Sequence, residues 1–194
     1  MEDLAYIIVR CLAQDKNYQR KFYERYFSFA MKCAFRYFNH IDPAKDIVLD
    51  SFVKVFNGLP GFLQDKVAAT LPEGRLLAWI KTIVINTCID HFRRNKRAPE
   101  LVDITPDIWN DQADDVSADT NVLYKELLFE LSNLSPSYRM VFNLHAVDGY
   151  TFKEIGTMLG LTTGGVKAAY FKAKLALQKK LTANSTIAQA YVKS

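Results

Sequence analysis

Apolar residues along the chain recur at intervals of three and four rather than two, and that period predicts helices almost throughout. A short helix is expected over Leu4 to Leu12, and a longer one over about Tyr18 to Phe38 with Phe22, Tyr26, Phe29, Ala30, Cys33 and Tyr37 inward. A third starts after Asp42 and Pro43, a pairing that agrees with helix-start signals because Pro at the first helical position costs no hydrogen bond. Its continuous apolar face is Ile47, Val48, Ser51, Phe52, Val55, Phe56 and Leu59, which turns Asp46, Leu49, Asp50, Val53, Lys54 and Asn57 outward. Leu49 and Val53 then stand one turn apart among charges. Such a pair fits a docking surface, and equally the isolated exposed apolar residues that most surfaces carry. A fourth helix, from about Leu76 to Lys96, places Leu77, Ile80, Ile83, Val84, Thr87, Cys88 and Phe92 on its apolar side and closes on HFRRNKR. No alternating strand pattern bounded by turns occurs, so the expected fold class is all-α.

Between Thr151 and Leu181 the pattern changes to two shorter helices joined by a turn containing Gly, the shape of a helix-turn-helix. Thr151 and Glu154 make a capping box that starts the first, with Ile155, Met158 and Leu159 as its buried stripe. Gly160 ends it, since Gly adopts positive φ without steric cost, and Leu161 is expected to plug the gap between the helices. Thr162 or Thr163 caps the second helix, in which Val166, Ala169, Tyr170, Ala173 and Leu177 face inward. Lys167, Phe171, Lys172 and Lys174 are left outward, so this face is basic. In such motifs the start of the second helix enters the major groove, where Lys meets phosphates or base acceptors. An ordinary helical hairpin with a solvated Lys face fits this segment taken alone.

Charge changes the picture by its distribution rather than by its total of +4. Residues 1–98 carry 16 Lys+Arg against 10 Asp+Glu, residues 99–122 carry none against 7, and residues 123–194 carry 9 against 4. Two basic blocks therefore flank an acidic bridge, PELVDITPDIWNDQADDVSADTNV, which has two prolines, no sustained period and many helix-disfavouring Asp residues. The expected organisation is two small helical domains, 1–98 and 122–181, joined by a flexible acidic linker at 99–121 and followed by a tail at 182–194. The linker can repel DNA phosphates or rest against a basic surface, and both readings stay open.

The 49% hydrophobic content excludes a wholly disordered chain. No apolar run approaches the roughly 20 residues that span a bilayer, and the first residues lack the sections of a signal peptide, so a cytoplasmic protein is expected. Cys11, Cys33 and Cys88 are widely spaced, with no CxxC pair, and read as small buried or half-buried apolar residues. His40, His91 and His145 are far apart in sequence, and no Gly-rich phosphate loop, paired His motif or nucleophile elbow appears, so neither an enzyme nor a cofactor or metal is expected. The basic end of the fourth helix is informative in another way. Cations there stabilise the helix dipole by about 0.3–1 kcal/mol without any ligand. Yet Trp79, His91 and Phe92 are interleaved with Lys81, Arg93, Arg94, Lys96 and Arg97, which pairs stacking faces with phosphate contacts, as proteins that hold unpaired bases do.

At these strings the chain resembles the extracytoplasmic-function group of bacterial RNA polymerase sigma factors. IVRCLAQDKNYQRKFYERYF is similar to the opening helix of that family, AKDIVLDSFVKVF to its polymerase-binding helix in region two, and LLAWIKTIVINTCIDHFRRNKR to its minus-ten-reading helix. LSNLSPSYRMVFNLHAVDGYTFKEIGTMLGLTTGGVKAAYFKAKLALQKKL looks like region four. Four such strings in order, with an acidic linker before the last, cover nearly the whole chain.

The resemblance implies an alternative sigma factor with no chemistry of its own, partnered by core RNA polymerase and promoter DNA. Asp46, Leu49, Asp50, Val53, Lys54 and Asn57 would dock on the clamp coiled coil of the largest polymerase subunit, and region four would meet the flap. Trp79, Lys81, Asn86, Asp90, His91, Arg93, Arg94, Lys96 and Arg97 would serve the minus-ten element, with Asn86 matching the Asn of the family's Asn-Thr pair. The segment between Leu59 and Leu76 would help capture a flipped base. Thr162, Thr163, Gly165, Lys167, Ala168, Phe171, Lys172 and Lys174 would meet the minus-thirty-five element. Members are often held off by a membrane-bound anti-sigma protein, so such a partner is implied too.

This chain departs from the pattern at Gly165, Ala168 and Ala169, where Thr, Ser and Arg are usual, and at Leu49, where a Gln is usual. The stretch LQDKVAATLPEGR is also longer than the usual loop. The lost donors predict weaker or relaxed minus-thirty-five readout, a bidentate base contact being worth about 1–3 kcal/mol. They also keep an alternative in view, a sigma-like regulator or polymerase-binding decoy. A free-standing dimeric helix-turn-helix repressor would need a palindromic operator and leaves the first block unexplained.

Overall fold

The computed structural model describes residues 3–63, 71–94 and 127–183, with side chains through 180. Every regular element among them is helical: α1 (Leu4–Leu12), α2 (Lys16–Phe35), α3 (Ile41–Phe62), α4 (Glu73–Arg94), α5 (127–132), α6 (Pro136–Phe142), a π-helical turn at Asn143–Val147, α7 (Phe152–Leu159) and α8 (Thr163–Ala183). The expected acidic linker at 99–121, Lys96, Arg97, the segment 64–70 and the tail beyond 183 lie outside the described residues. The described chain forms two units: α1–α4, and α5–α8 together with Arg36–His40.

In the first unit Asp3 caps α1 by accepting the Ala5 N–H at 3.3 Å. Gln14 turns the chain at φ 60°, a left-handed conformation that costs a residue with a Cβ about 1–2 kcal/mol. Asp15 then accepts the Asn17 N–H at 3.0 Å, and this cap starts α2 at Lys16, two residues before the position that the apolar stripe alone predicts. The helix also ends sooner, at Phe35 rather than Phe38, because Tyr37, Phe38 and Asn39 are buried in the other unit. α3 begins at Ile41, before Asp42 and Pro43. The first-turn N–H groups of a helix have no partner within it, so Pro43 is accommodated there without losing a bond.

The core of this unit is aromatic at its centre. Phe22 is fully buried and meets Tyr26, Phe52 and Phe56 at centroid separations of 4.8, 6.4 and 5.8 Å. Ile47, Val48, Val55 and Leu59 of α3 pack inward, as do Ile80, Val84 and Cys88 of α4. Phe29 and Phe56, expected inward, are half-buried. Cys11, Cys33 and Cys88 are buried thiols outside any disulfide, and burial pushes the Cys11 thiol up to about 11. A polar clasp joins α2 to α4: Tyr26 donates its hydroxyl to Glu73 Oε1 at 2.9 Å and Arg25 reaches the same oxygen at 3.0 Å. Glu73 stands in the first turn of α4, where a carboxylate also favours the helix dipole. Burial, and then Glu73, raises the Tyr26 phenol above its ordinary range, so it stays a donor.

The second unit is built on Leu128, Leu131 and Leu134 packed against Ala173 and Leu177 of α8. Thr151 caps α7 in both directions, with Thr151 Oγ1 accepting the Glu154 N–H at 3.3 Å and Glu154 Oε2 accepting the Thr151 N–H at 2.8 Å. The Thr151 hydroxyl, donating to Glu154 Oε2 at 2.7 Å, and then the Thr151 N–H hold the Glu154 carboxyl below its ordinary range. Gly160 ends the helix at φ 64°. The expected plug at Leu161 does not form, since that side chain is 40% exposed. The backbone makes the crossing instead: a Cβ at Gly156 would lie 2.8 Å from the Leu161 carbonyl oxygen, so only Gly lets the turn approach this closely. Val166, Ile155 and Leu159 are the fully buried residues there, and Met158 is half-buried. Replacing Thr151 by Ala should destabilise this unit by about 1 kcal/mol, a fall of about 4–8 °C in its thermal midpoint by circular dichroism, while Thr151→Ser keeps nearly all of it.

Candidate nucleic-acid interface

Three helix faces carry the residues that the sequence singles out. On α3, Asp46, Leu49, Asp50, Val53, Lys54 and Asn57 are all exposed, with Leu49 at 53% and Val53 at 60%. They share a face because the opposite one is filled by Ile47, Ser51 and Val55, and Ser51 buries its hydroxyl by donating to the Ile47 carbonyl at 2.6 Å. Lys54 leans toward α4, where its Nζ donates to Thr87 Oγ1 and Asp90 Oδ2, each at 3.1 Å. The docking-type face of α3 is thereby fixed in position against the basic end of α4.

On α4 the exposed positions Thr82, Asn86, Asp90 and Arg93 follow one another at helical spacing, with Arg94 beside them. Thr82, which the sequence reading leaves out, joins this stripe one turn before Asn86 and is exposed, its hydroxyl turned back to the Ala78 carbonyl at 2.9 Å. Asn86 presents an amide with both a donor and an acceptor to solvent. Lys81 and His91 are half-buried. Of the expected stacking residues, Phe92 is 8% exposed and belongs to the core. Trp79 is half-buried, with one ring face stacked on Phe62 at 4.3 Å and 13° and its edge 3.2 Å from where a Gly58 Cβ would stand. A side chain at Gly58 would push this edge back by a few tenths of an ångström, and the ring face away from Phe62 is the one left for any base.

His91 lies between charges of both signs. Burial and then Arg94 hold its imidazole below the ordinary value of 6.5, against the pull of Asp46 and Asp50. The ring is therefore neutral at pH 7 and adds no charge to the basic end. A histidine whose folded pKa is depressed binds protons more readily when unfolded, so its share of stability is full above pH 6.5 and is lost as pH falls from there through the folded value. Urea unfolding of the N-terminal unit should thus weaken between pH 7.5 and 5.5, and His91→Gln should flatten that slope.

On α8, Thr162 and not Thr163 supplies the cap, accepting the Gly165 N–H at 3.1 Å. Val166, Ala173 and Leu177 anchor the helix from below, and Tyr170 is wedged against Phe142, His145 and Phe152 at 5.9, 4.7 and 5.5 Å. Thr162, Thr163, Gly165, Lys167, Ala168, Phe171, Lys172 and Lys174 are exposed, and so are Gly164 and Leu175, which the sequence reading leaves out. The signal for both was present, since they continue the spacing of Ala168 and Phe171 by one turn each way.

Known proteins resemble this chain over most of its length. The family profile of sigma-70 region 2 matches residues 22–98, and that of sigma-70 region 4 matches residues 124–177. The RNA polymerase sigma factor YlaC of Bacillus subtilis strain 168 is 27% identical over 165 residues, spanning 82% of this chain and 90% of that protein. The ECF RNA polymerase sigma-E factor of Escherichia coli strain K12 is 23% identical over 146 residues, 70% of this chain and 72% of that one. Among solved structures, the sigma factor RpoE in complex with the anti-sigma factor NepR from Bartonella quintana is 21% identical and covers 84% of this chain and 96% of that one. The two superpose with a TM-score of 0.47.

Proposed function

The chain belongs to the sigma-70 family, in its extracytoplasmic-function group, and from that premise we propose how its helix faces divide the work of starting transcription. The protein binds core RNA polymerase and directs it to start DNA-dependent transcription at particular promoters. The observation that carries this is the match to both regions, in order, over 22–98 and 124–177. A decoy with weakened readout is not favoured by it.

The outward face of α3 docks on the polymerase clamp. Leu49 and Val53 supply apolar contact at its centre, and Asp46, Asp50, Lys54 and Asn57 form a polar rim, the usual anatomy of a protein interface. Thr82, Asn86 and Arg93 face the minus-ten element, and Arg94 neutralises phosphate nearby. Opening the duplex costs a few kcal/mol for each base unstacked, and capture of a flipped base and stacking of the displaced strand offset it. The exposed side of Trp79 is one such platform. The bonds made and broken belong to the polymerase, so these residues position DNA. Asp90, held by Lys54, keeps a carboxylate from pointing freely at phosphate and sets the spacing of α3 and α4. A membrane-bound anti-sigma partner stays a proposal that rests on family membership.

The test is promoter opening by holoenzyme, followed with a fluorescent 2-aminopurine at the upstream minus-ten position. Asn86→Ala is expected to slow opening about tenfold or more while affinity for core polymerase is unchanged, and Arg93→Ala with Arg94→Ala should flatten the salt dependence of binding. Unaltered opening by Asn86→Ala would reject the assignment of the α4 stripe.

A further inference from the structure

The centre of the outward face of α8 carries no side chain that can donate a hydrogen bond. At about 100° per residue, Gly164, Ala168, Phe171 and Leu175 fall within about 60° of arc, on the side opposite the buried Val166, Ala173 and Leu177. Phe171 is 57% exposed and Leu175 65%. A Cβ added at Gly164 would meet nothing within 4 Å, so the missing side chain leaves open space above the helix and makes no room for packing. Lys167 and Lys174 border this apolar stripe on one side and Lys172 borders it on the other. Not one of the 21 residues of α8 is acidic.

A stripe of this kind, bracketed by cations, matches one occupant by charge. The phosphate walls of a DNA major groove meet the lysines, and the groove floor meets the stripe. A protein partner would have to be apolar and doubly acid-flanked to fit as well. The groove admits an α-helix, and each base pair presents its own pattern there. Guanine, adenine and cytosine show only donors and acceptors, which a donor-free stripe would bury without partners. Thymine alone adds an apolar group, its C5-methyl.

We propose that Ala168, Phe171 and Leu175 read thymine C5-methyl groups in the minus-thirty-five element, so that this helix selects T-rich sequence by apolar contact where others use hydrogen bonds. The inference rests on the reading that α8 enters the major groove at that element. Phe171 is aimed at the groove because its neighbour Tyr170 is locked below by Phe142, His145 and Phe152, with the two adjacent rings 6.0 Å apart. The absent donors at Gly165 and Ala168 then belong to a different readout, and specificity is kept.

Replacing thymine by deoxyuridine removes the methyl and nothing else, which makes the test direct. Holoenzyme is titrated on promoter duplexes in which each minus-thirty-five thymine is exchanged in turn. The expected result is binding weakened about threefold to tenfold at one or two positions, with that difference abolished in Phe171→Ala and retained in part by Phe171→Leu. Both variants change an exposed side chain, so folding is not at stake. Equal affinity for thymine and deoxyuridine at every position would overturn the proposal, as would discrimination that persists unchanged in a Phe171→Ala, Leu175→Ala double variant. Footprinting separates these outcomes from failure of the underlying reading: holoenzyme that starts transcription yet leaves the minus-thirty-five region unprotected would overturn both.

Discussion

Replacing Arg139 by Leu should destabilise the C-terminal unit by about 3 kcal/mol or more, a larger loss than that of any exposed residue considered above. The guanidinium is 2% exposed. Its Nε donates to the Leu131 carbonyl at 3.1 Å, and Nη2 donates to the Ser132 and Leu134 carbonyls, each at 2.9 Å. Nη1 donates to Asn39 Oδ1 at 2.6 Å and lies 3.4 Å from the Tyr37 carbonyl. The carbonyls at 131 and 132 close α5, and the last carbonyls of a helix have no partner within it. Arg139 therefore acts as a cap reaching in from the side, its positive charge set at the negative end of the helix dipole. A Leu of similar bulk fills the space but takes the donor from the Leu134 carbonyl and from Asn39 Oδ1, each loss costing about 1–3 kcal/mol less whatever relaxation or water recovers, while the Leu131 carbonyl keeps the Leu134 N–H at 3.1 Å and the Ser132 carbonyl keeps Asn39 Nδ2 at 3.4 Å. Arg139→Lys should also lose stability, because an ammonium cannot spread its donors in a planar fork. Thermal unfolding by circular dichroism should show the midpoint of this unit falling by more than about 10 °C for Leu, at about 4–8 °C per kcal/mol in a unit of this size. A fall of only one or two degrees would mean that the carbonyls find other partners.

The second large effect is on binding. Leu49→Asp with Val53→Asp should weaken affinity for core polymerase about 100-fold or more, because charge is placed where the interface centre loses its water. Central contacts of this kind are worth about 2 kcal/mol or more each, and every 1.4 kcal/mol is tenfold in affinity. Both side chains are more than half exposed, so the fold should survive with its thermal midpoint nearly unchanged. A double variant that binds core as the parent does would move the docking surface off α3.

Elements whose shape is decided locally were legible in the sequence. The bounds of α1, the two faces of α3 and the capping box at Thr151 follow from spacing and side-chain chemistry within a few residues, and the structure has them. Gly160 likewise takes the positive φ that its position after α7 requires. What the sequence hid depends on distant partners. Arg139 reads as one more surface cation until α5 and Asn39 are brought to it. Asn143 is fully buried, and its amide donates to the Arg139 carbonyl at 3.0 Å and the Arg36 carbonyl at 2.8 Å, where the helix widens into its π-turn. The stop of α2 at Phe35 was hidden in the same way, since Tyr37 and Phe38 continue its apolar period but are buried elsewhere. Leu161 was misplaced because a missing atom, the Cβ of Gly156, brings the turn in by its backbone. At the candidate interface, exposure of the α3 and α8 faces agreed with the periodicity. The stacking platform expected on α4 shrank to one side of Trp79, because Phe62 claims the other.

The central claim is that this chain sends core polymerase to particular promoters, and transcription of genomic DNA from the source bacterium by purified core with and without the protein tests it most directly. The account predicts start sites that appear only with the protein and share a two-part element upstream, at about minus ten and minus thirty-five. Start sites identical with and without it, under conditions where the protein is bound to core, would contradict the account.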